Sequence, residues 1–165
     1  MKHRPPPSAP SGEPLRRRRI PAFHPVPVNA RADGWTRDRQ AALIGYLAET
    51  RSVEEACRRV GMGKESAYRL RKRPGAAGFA AAWDAALGKP HAAVDLSLAK
   101  STGLDARYRS EAGRVQVVMR RGKFALSYWK EDDHALIQVL ARLYRARSRA
   151  RLGRAGSRAL ERQRG

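Results

Sequence analysis

Residues 52–73, SVEEACRRVGMGKESAYRLRKR, decide how the rest of the chain is read. Ser52 and Glu55 stand at the S-x-x-E spacing of a capping box, which satisfies the free amides at a helix start. The spacing predicts a helix from there to about Val60, ended by Gly61-Met62-Gly63. A second helix is predicted over Lys64 to Arg73, closed by Pro74-Gly75. Val53, Val60, Met62 and Leu70 are the apolar positions expected to hold the two helices together. Cys57 and Ala67 supply small side chains where the helices cross. Glu65, Ser66, Arg69, Arg71, Lys72 and Arg73 are left to face outward.

This pattern resembles helix-turn-helix proteins, in particular the compact type ending in Y-R-x-x-[KR]-[KR], here Tyr68 to Arg73. The resemblance implies a second helix that enters a DNA major groove. The expected DNA-binding residues are Lys64, Glu65, Ser66, Tyr68, Arg69, Arg71, Lys72 and Arg73. Arg69, one turn in from the helix start, is the candidate for a bidentate guanine contact.

Composition points the same way. The chain of 165 residues carries 35 Lys and Arg against 15 Asp and Glu, a net charge of +20 that calls for a polyanionic partner. Most of the cations are arginine, which suits phosphate and base edges. The single cysteine, Cys57, excludes an internal disulfide and a Cys-rich zinc site. It reads as a small buried residue in a reducing, cytoplasmic setting. No stretch approaches a membrane span, and the N-terminus lacks the apolar core of a secretory signal.

Residues 1–33 are expected to form a disordered arm, because eight of the ten prolines fall within the first 27 positions. Arg16, Arg17, Arg18 and Arg19 form a basic run within it, placed to track phosphate or enter a minor groove. Residues 34–75 are read as the DNA-binding domain. Its first helix is capped by Thr36 and buries Ala41, Leu43, Ile44, Leu47 and Ala48. Trp35 and Tyr46 are read as core or cap residues.

Residues 76–144 are read as an accessory region. An Ala-rich helix over 76–88 carries Phe79, Trp83 and Leu87 in one stripe, packed on the trihelical unit or on another copy. Residues 91–101 extend the helical region, and the polar run from Gly103 to Gly113 breaks it. A β-hairpin over 115–129 turns at Arg120-Arg121-Gly122-Lys123. Asp132 or Asp133 then caps a last helix with Leu136, Ile137, Val139, Leu140, Leu143 and Tyr144 on its apolar face. Residues 145–165 are a second basic tail. Residues 74–113 hold four acids and four bases, so the charge lies on the helix-turn-helix and at both ends.

The predicted fold is therefore mainly α. A trihelical helix-turn-helix unit is followed by an Ala-rich helix, a small hairpin and a final helix, with disordered basic tails. The order of Gly34-Trp35-Thr36, Arg39-Gln40, Leu47 to Thr50, Gly61 to Arg73 and Ala80 to Asp84 resembles an uncharacterised group of alphaproteobacterial helix-turn-helix proteins. A shorter likeness around Phe79 to Leu87 is to phage terminase small subunits.

No catalytic site, cofactor or metal site is legible. His3, His24, His91 and His134 have no partner at ligand spacing. Glu131-Asp132-Asp133 reads as helix capping. Gly61-Met62-Gly63-Lys64 lacks the phosphate-loop spacing. The expected partner is double-stranded DNA, bound by a homodimer that regulates transcription. DNA packaging in the manner of a terminase small subunit and non-specific nucleoid binding are the alternatives.

Overall fold

The computed structural model describes residues 19–29 and 31–163, and side chains as far as Arg154. Three helices open the fold: α1 (Arg37–Thr50), α2 (Val53–Val60) and α3 (Lys64–Arg71). The Ala-rich α4 (Ala77–Ala86) follows, then the short α5 (Ala99–Thr102) and α6 (Ala106–Ala112). Strands β1 (Arg114–Arg120) and β2 (Lys123–Lys130) form an antiparallel hairpin, and α7 (Asp133–Gln163) ends the described chain.

Local chemistry sets these limits. Thr36 caps α1 by accepting from the Arg39 amide. Ser52 caps α2 by accepting from the Glu55 amide, but the reciprocal half of the box is not made. Glu55 turns to Arg58 and Arg59 instead, and Thr50 Oγ1 accepts from the Ser52 amide. Gly61 ends α2 at φ +73°, in the left-handed region that glycine enters without cost. At the hairpin tip Arg121 and Gly122 both have positive φ, +51° and +77°, the two-residue turn whose twist matches the strands. Ala125 is bulged out where the register shifts beyond Val118, which pairs with Leu126, while Met119 pairs with Phe124.

One core joins the segment from Ile20 to Val26, α1 to α4 and the hairpin. Leu43, Ile44 and Leu47 of α1 meet Ala56 and Cys57 of α2, Ala67 and Leu70 of α3, Phe79 and Trp83 of α4, and Val115 and Val117 of β1. The stripe on α4 is therefore spent inside this chain. The hairpin lies across α1 at Gly45, where any side chain would run into the Phe124 ring. Glu49 locks this seat, accepting from the Phe124 amide at 2.8 Å and from Arg59 at 2.7 Å. The residues assigned to a DNA-binding domain and to an accessory region share this core.

Several expectations change. The arm ends by residue 19, because Ile20, Phe23, His24 and Val26 are buried in the core. Phe23 pairs with Val115 through two backbone hydrogen bonds, 3.2 and 2.8 Å. The Gln40 amide clasps Val26, accepting its N–H at 2.7 Å and donating to its carbonyl at 3.1 Å. Tyr108 donates to the Pro25 carbonyl, and Gln116 to that of Ile20. Prolines here suit an extended segment whose partners are mainly side chains.

Of residues 91–101 only the last three are helical, as the start of α5. Conversely, α6 occupies the run from Gly103 to Gly113, capped by Asp105 at the Tyr108 amide. The basic tail from Arg145 continues α7 without a break as far as Gln163.

Candidate nucleic-acid interface

Helix α3 is held from behind by three separate contacts. Trp35 Nε1 donates to Ser66 Oγ at 3.2 Å, and Ser66 in turn donates to the Gly63 carbonyl at 2.7 Å. Arg71 Nη2 lies 2.8 Å from each carboxylate oxygen of Asp84 on α4, with its guanidinium 5.8 Å from the Trp83 ring centre. Tyr68 also packs on that indole, ring centres 5.5 Å apart. Phe79 and Phe23 continue the aromatic run, at 6.1 and 5.6 Å, back to the N-terminal segment. Ala67 and Leu70 are buried between these supports.

The outer face of α3 follows from the helical period. Lys64, Glu65, Tyr68 and Arg69 fall on it and are exposed; the helix ends at Arg71, two residues short of the expected Arg73, so Lys72 and Arg73, also exposed, follow it in the turn. Arg69 Nη2 is 3.3 Å from Glu65, with both side chains at least four-fifths exposed. A pair so open to water is weak, so it leaves the guanidinium available to a partner. Among the described residues Lys64, Lys72 and Arg73 have no acidic partner within 4.0 Å, and on this face only Glu65 is negative. On α2, by contrast, Arg58 and Arg59 are taken up by Glu55 and Glu49. These arginines hold Glu55 down to about 2 and Glu49 below its usual range, the latter with the Phe124 amide as first cause. Of this helix pair, the free positive charge thus lies on α3 and the two residues after it.

Two of the predicted contact residues are placed differently. Arg71 is turned inward to Asp84 and fixes α3 on α4. Ser66 is half-buried and spends its hydroxyl on Trp35 and Gly63. Arg19 is exposed at the start of the packed segment. Arg16, Arg17 and Arg18 lie outside the described residues. No helix among the described residues is long and apolar enough to cross a membrane.

A buried polar cluster joins the N-terminal segment to α6 and the start of α7, and its partners are far apart in sequence. His24 Nε2 is 2.8 Å from Asp132 Oδ2, and Arg109 Nη1 is 4.0 Å from the same oxygen. Arg109 also donates to the Leu96 carbonyl and to Gln138 Oε1, both at 2.8 Å. Burial lowers the His24 pKa, although its bond to Asp132 pulls the other way. Burial raises Asp132, but the His24 bond, the Ala135 amide and the nearby cations outweigh it and hold the carboxyl below its usual range. The state that fits is a neutral histidine donating from Nε2 to a carboxylate, balanced by Arg109. The cap at Asp132 was legible from its position before α7; the His24 partner was not, since 108 residues separate them. Among the described residues no group of three or more His, Cys, Asp and Glu gathers as a metal site.

The α3 face, its three supports and the arginines of α7 are therefore the surfaces on which function must be argued, since no family model, curated protein or solved structure matches the chain.

Proposed function

We propose that this protein binds double-stranded DNA by laying the outer face of α3 in a major groove. One observation carries the reading. A short helix, anchored at Ser66, Arg71 and Tyr68, presents Lys64 and Arg69 to solvent, and Lys72 and Arg73 follow in the turn after it, with a single acid, Glu65, among them. A groove reader needs both properties. A fixed helix avoids ordering costs on binding, and uncompensated cations release counterions from the phosphates. Glu65 and Arg69, in the first turns, are placed for base edges, while Lys72 and Arg73 suit phosphates. Two copies of the chain would present two such helices to a paired site, as a transcriptional regulator does. The exposed arginines of α7 add sequence-independent affinity.

The test is selection of bound duplexes from a random pool, repeated with Arg69→Ala. The expected result is an enriched motif that relaxes at one base position in the variant. A protein that enriches no motif, or a motif untouched by Arg69→Ala and Glu65→Ala together, would reject α3 as the reading helix. Binding without any motif would favour a packaging or nucleoid role.

A further inference from the structure

The first turns of α7 expose an apolar stripe that the described chain leaves uncovered. Leu136, Ile137, Leu140, Leu143 and Tyr144 are 48, 63, 55, 57 and 74 % exposed. Steps of four and three residues put Leu136, Leu140 and Leu143 in one row, flanked by Ile137 and Tyr144. The same row continues through Arg147, Arg151 and Arg154, all exposed. Five arginines and no acid occupy residues 145–154. At the other end of the stripe stands Asp133, exposed, in the first turn of α7. The face is thus acidic, then apolar, then cationic along its length.

We infer that this face seats a second copy of the chain, with the two α7 helices antiparallel about a two-fold axis at Leu140. A two-fold contact must be complementary to itself, and this order of charges is so in one direction only. Antiparallel, Leu140 meets Leu140, Leu136 meets Tyr144, and Ile137 meets Leu143. Arg147 then faces Asp133 of the partner subunit. Parallel packing would lay the two arginine runs side by side. The paired segment, from Asp133 to Arg147, is about 21 Å long at the helical rise, enough for a compact two-helix contact. The inference rests on the paired assembly proposed above, but it needs no DNA to operate.

The experiment uses the full-length protein without DNA. Sedimentation should show a concentration-dependent dimer, and Leu140→Glu should weaken it more than tenfold while leaving the circular dichroism unchanged. For orientation, Leu136→Cys and Tyr144→Cys chains, each carrying Cys57→Ala, are oxidised singly and mixed. Disulfide-linked dimers should form in the mixture and not from either chain alone. Linkage of Leu136→Cys to itself would overturn the antiparallel arrangement. A wild-type chain that stays monomeric at all concentrations, including one that binds vesicles of anionic phospholipid through α7, would overturn the inference entirely. Failure of DNA binding in a dimeric protein would leave it standing.

Discussion

Trp35 donates its indole N–H to Ser66 across 3.2 Å, so the residue before the α1 cap fixes the first turn of α3. The contact spans 31 residues and joins the buried Trp35, ahead of α1, to the helix of the proposed reading surface. Trp35→Phe keeps most of the apolar contact and removes the donor. It should cost about 1 kcal/mol of stability, the usual net value of one hydrogen bond. It should weaken DNA binding more than that destabilisation explains, because α3 is left less ordered. Urea unfolding and duplex titration on the same sample check both; equal binding by the variant would show that this bond does not steady α3.

Arg69 and Arg71 sit two residues apart and are predicted to behave oppositely. Arg69→Ala should leave stability within about 0.5 kcal/mol and remove about 1–3 kcal/mol of discrimination at one base position. Arg71→Ala should destabilise the fold, because it leaves Asp84 without its bidentate partner. A double-mutant cycle of Arg71→Ala with Asp84→Ala should give a coupling of about 1 kcal/mol. A coupling near zero would return Arg71 to the DNA-facing set.

Cys57 is 2 % exposed and faces the junction of the helices, where burial raises its thiol pKa. Cys57→Ala should be tolerated, and Cys57→Leu should overpack the junction at a cost of about 1–3 kcal/mol. Thiol labelling of the folded protein should be slow, and should speed up in step with unfolding as denaturant is added.

Trimming the chain separates its packed and unpacked ends. Starting at residue 34 would remove Ile20, Phe23 and Val26 from the core, about 5–8 kcal/mol of apolar burial. That is comparable to the whole stability of a typical domain, so this fragment should not fold. A chain of residues 19–144 should fold and retain its sequence preference. Its salt dependence should be shallower, by about 0.9 log units for each phosphate that the ends no longer neutralise. Equal slopes for the full and trimmed chains would show that neither end touches phosphate.

Acid should weaken the fold through His24 before it reaches the carboxylates. The His24 pKa in the fold lies below its ordinary 6.5, so near that pH the unfolded chain takes up a proton that the folded chain refuses. Stability is therefore full above 6.5 and falls as pH drops from 6.5 toward the folded-state value. Asp132, held low, adds a further loss below its ordinary 3.8. His24→Gln keeps an amide donor for Asp132 and cannot titrate. Its melting temperature should change less than that of the wild type between pH 7 and 5. Parallel curves for the two proteins would remove His24 as the source.

Much of the fold was legible because its signals are local. Thr36, Ser52, Gly61 and Asp132 mark helix ends through bonds to residues within five positions. The alternation of β1 and the Arg121-Gly122 turn pointed to the hairpin. The misses have non-local causes. Proline density hid the packed segment from Ile20 to Val26, since its order depends on Gln40, Tyr108 and Val115. Helix α6 was obscured by its polar surface, yet it buries Ala106 and Arg109. Arg71 was read as outward because its spacing permits it; only the approach of α4 supplies Asp84.

The pairing of Phe23 with Val115 also sets an order of events during synthesis. A chain emerging N-terminus first exposes Ile20, Phe23 and Val26 roughly ninety residues before β1 exists to receive them. Until then α1 to α4 lack part of the cover they need, and closing so long a loop is slow. The nascent protein therefore carries an open apolar seam through most of its translation, a period in which chaperones would hold it. For the same reason α1 to α3 cannot be lifted out and grafted elsewhere as an independent module.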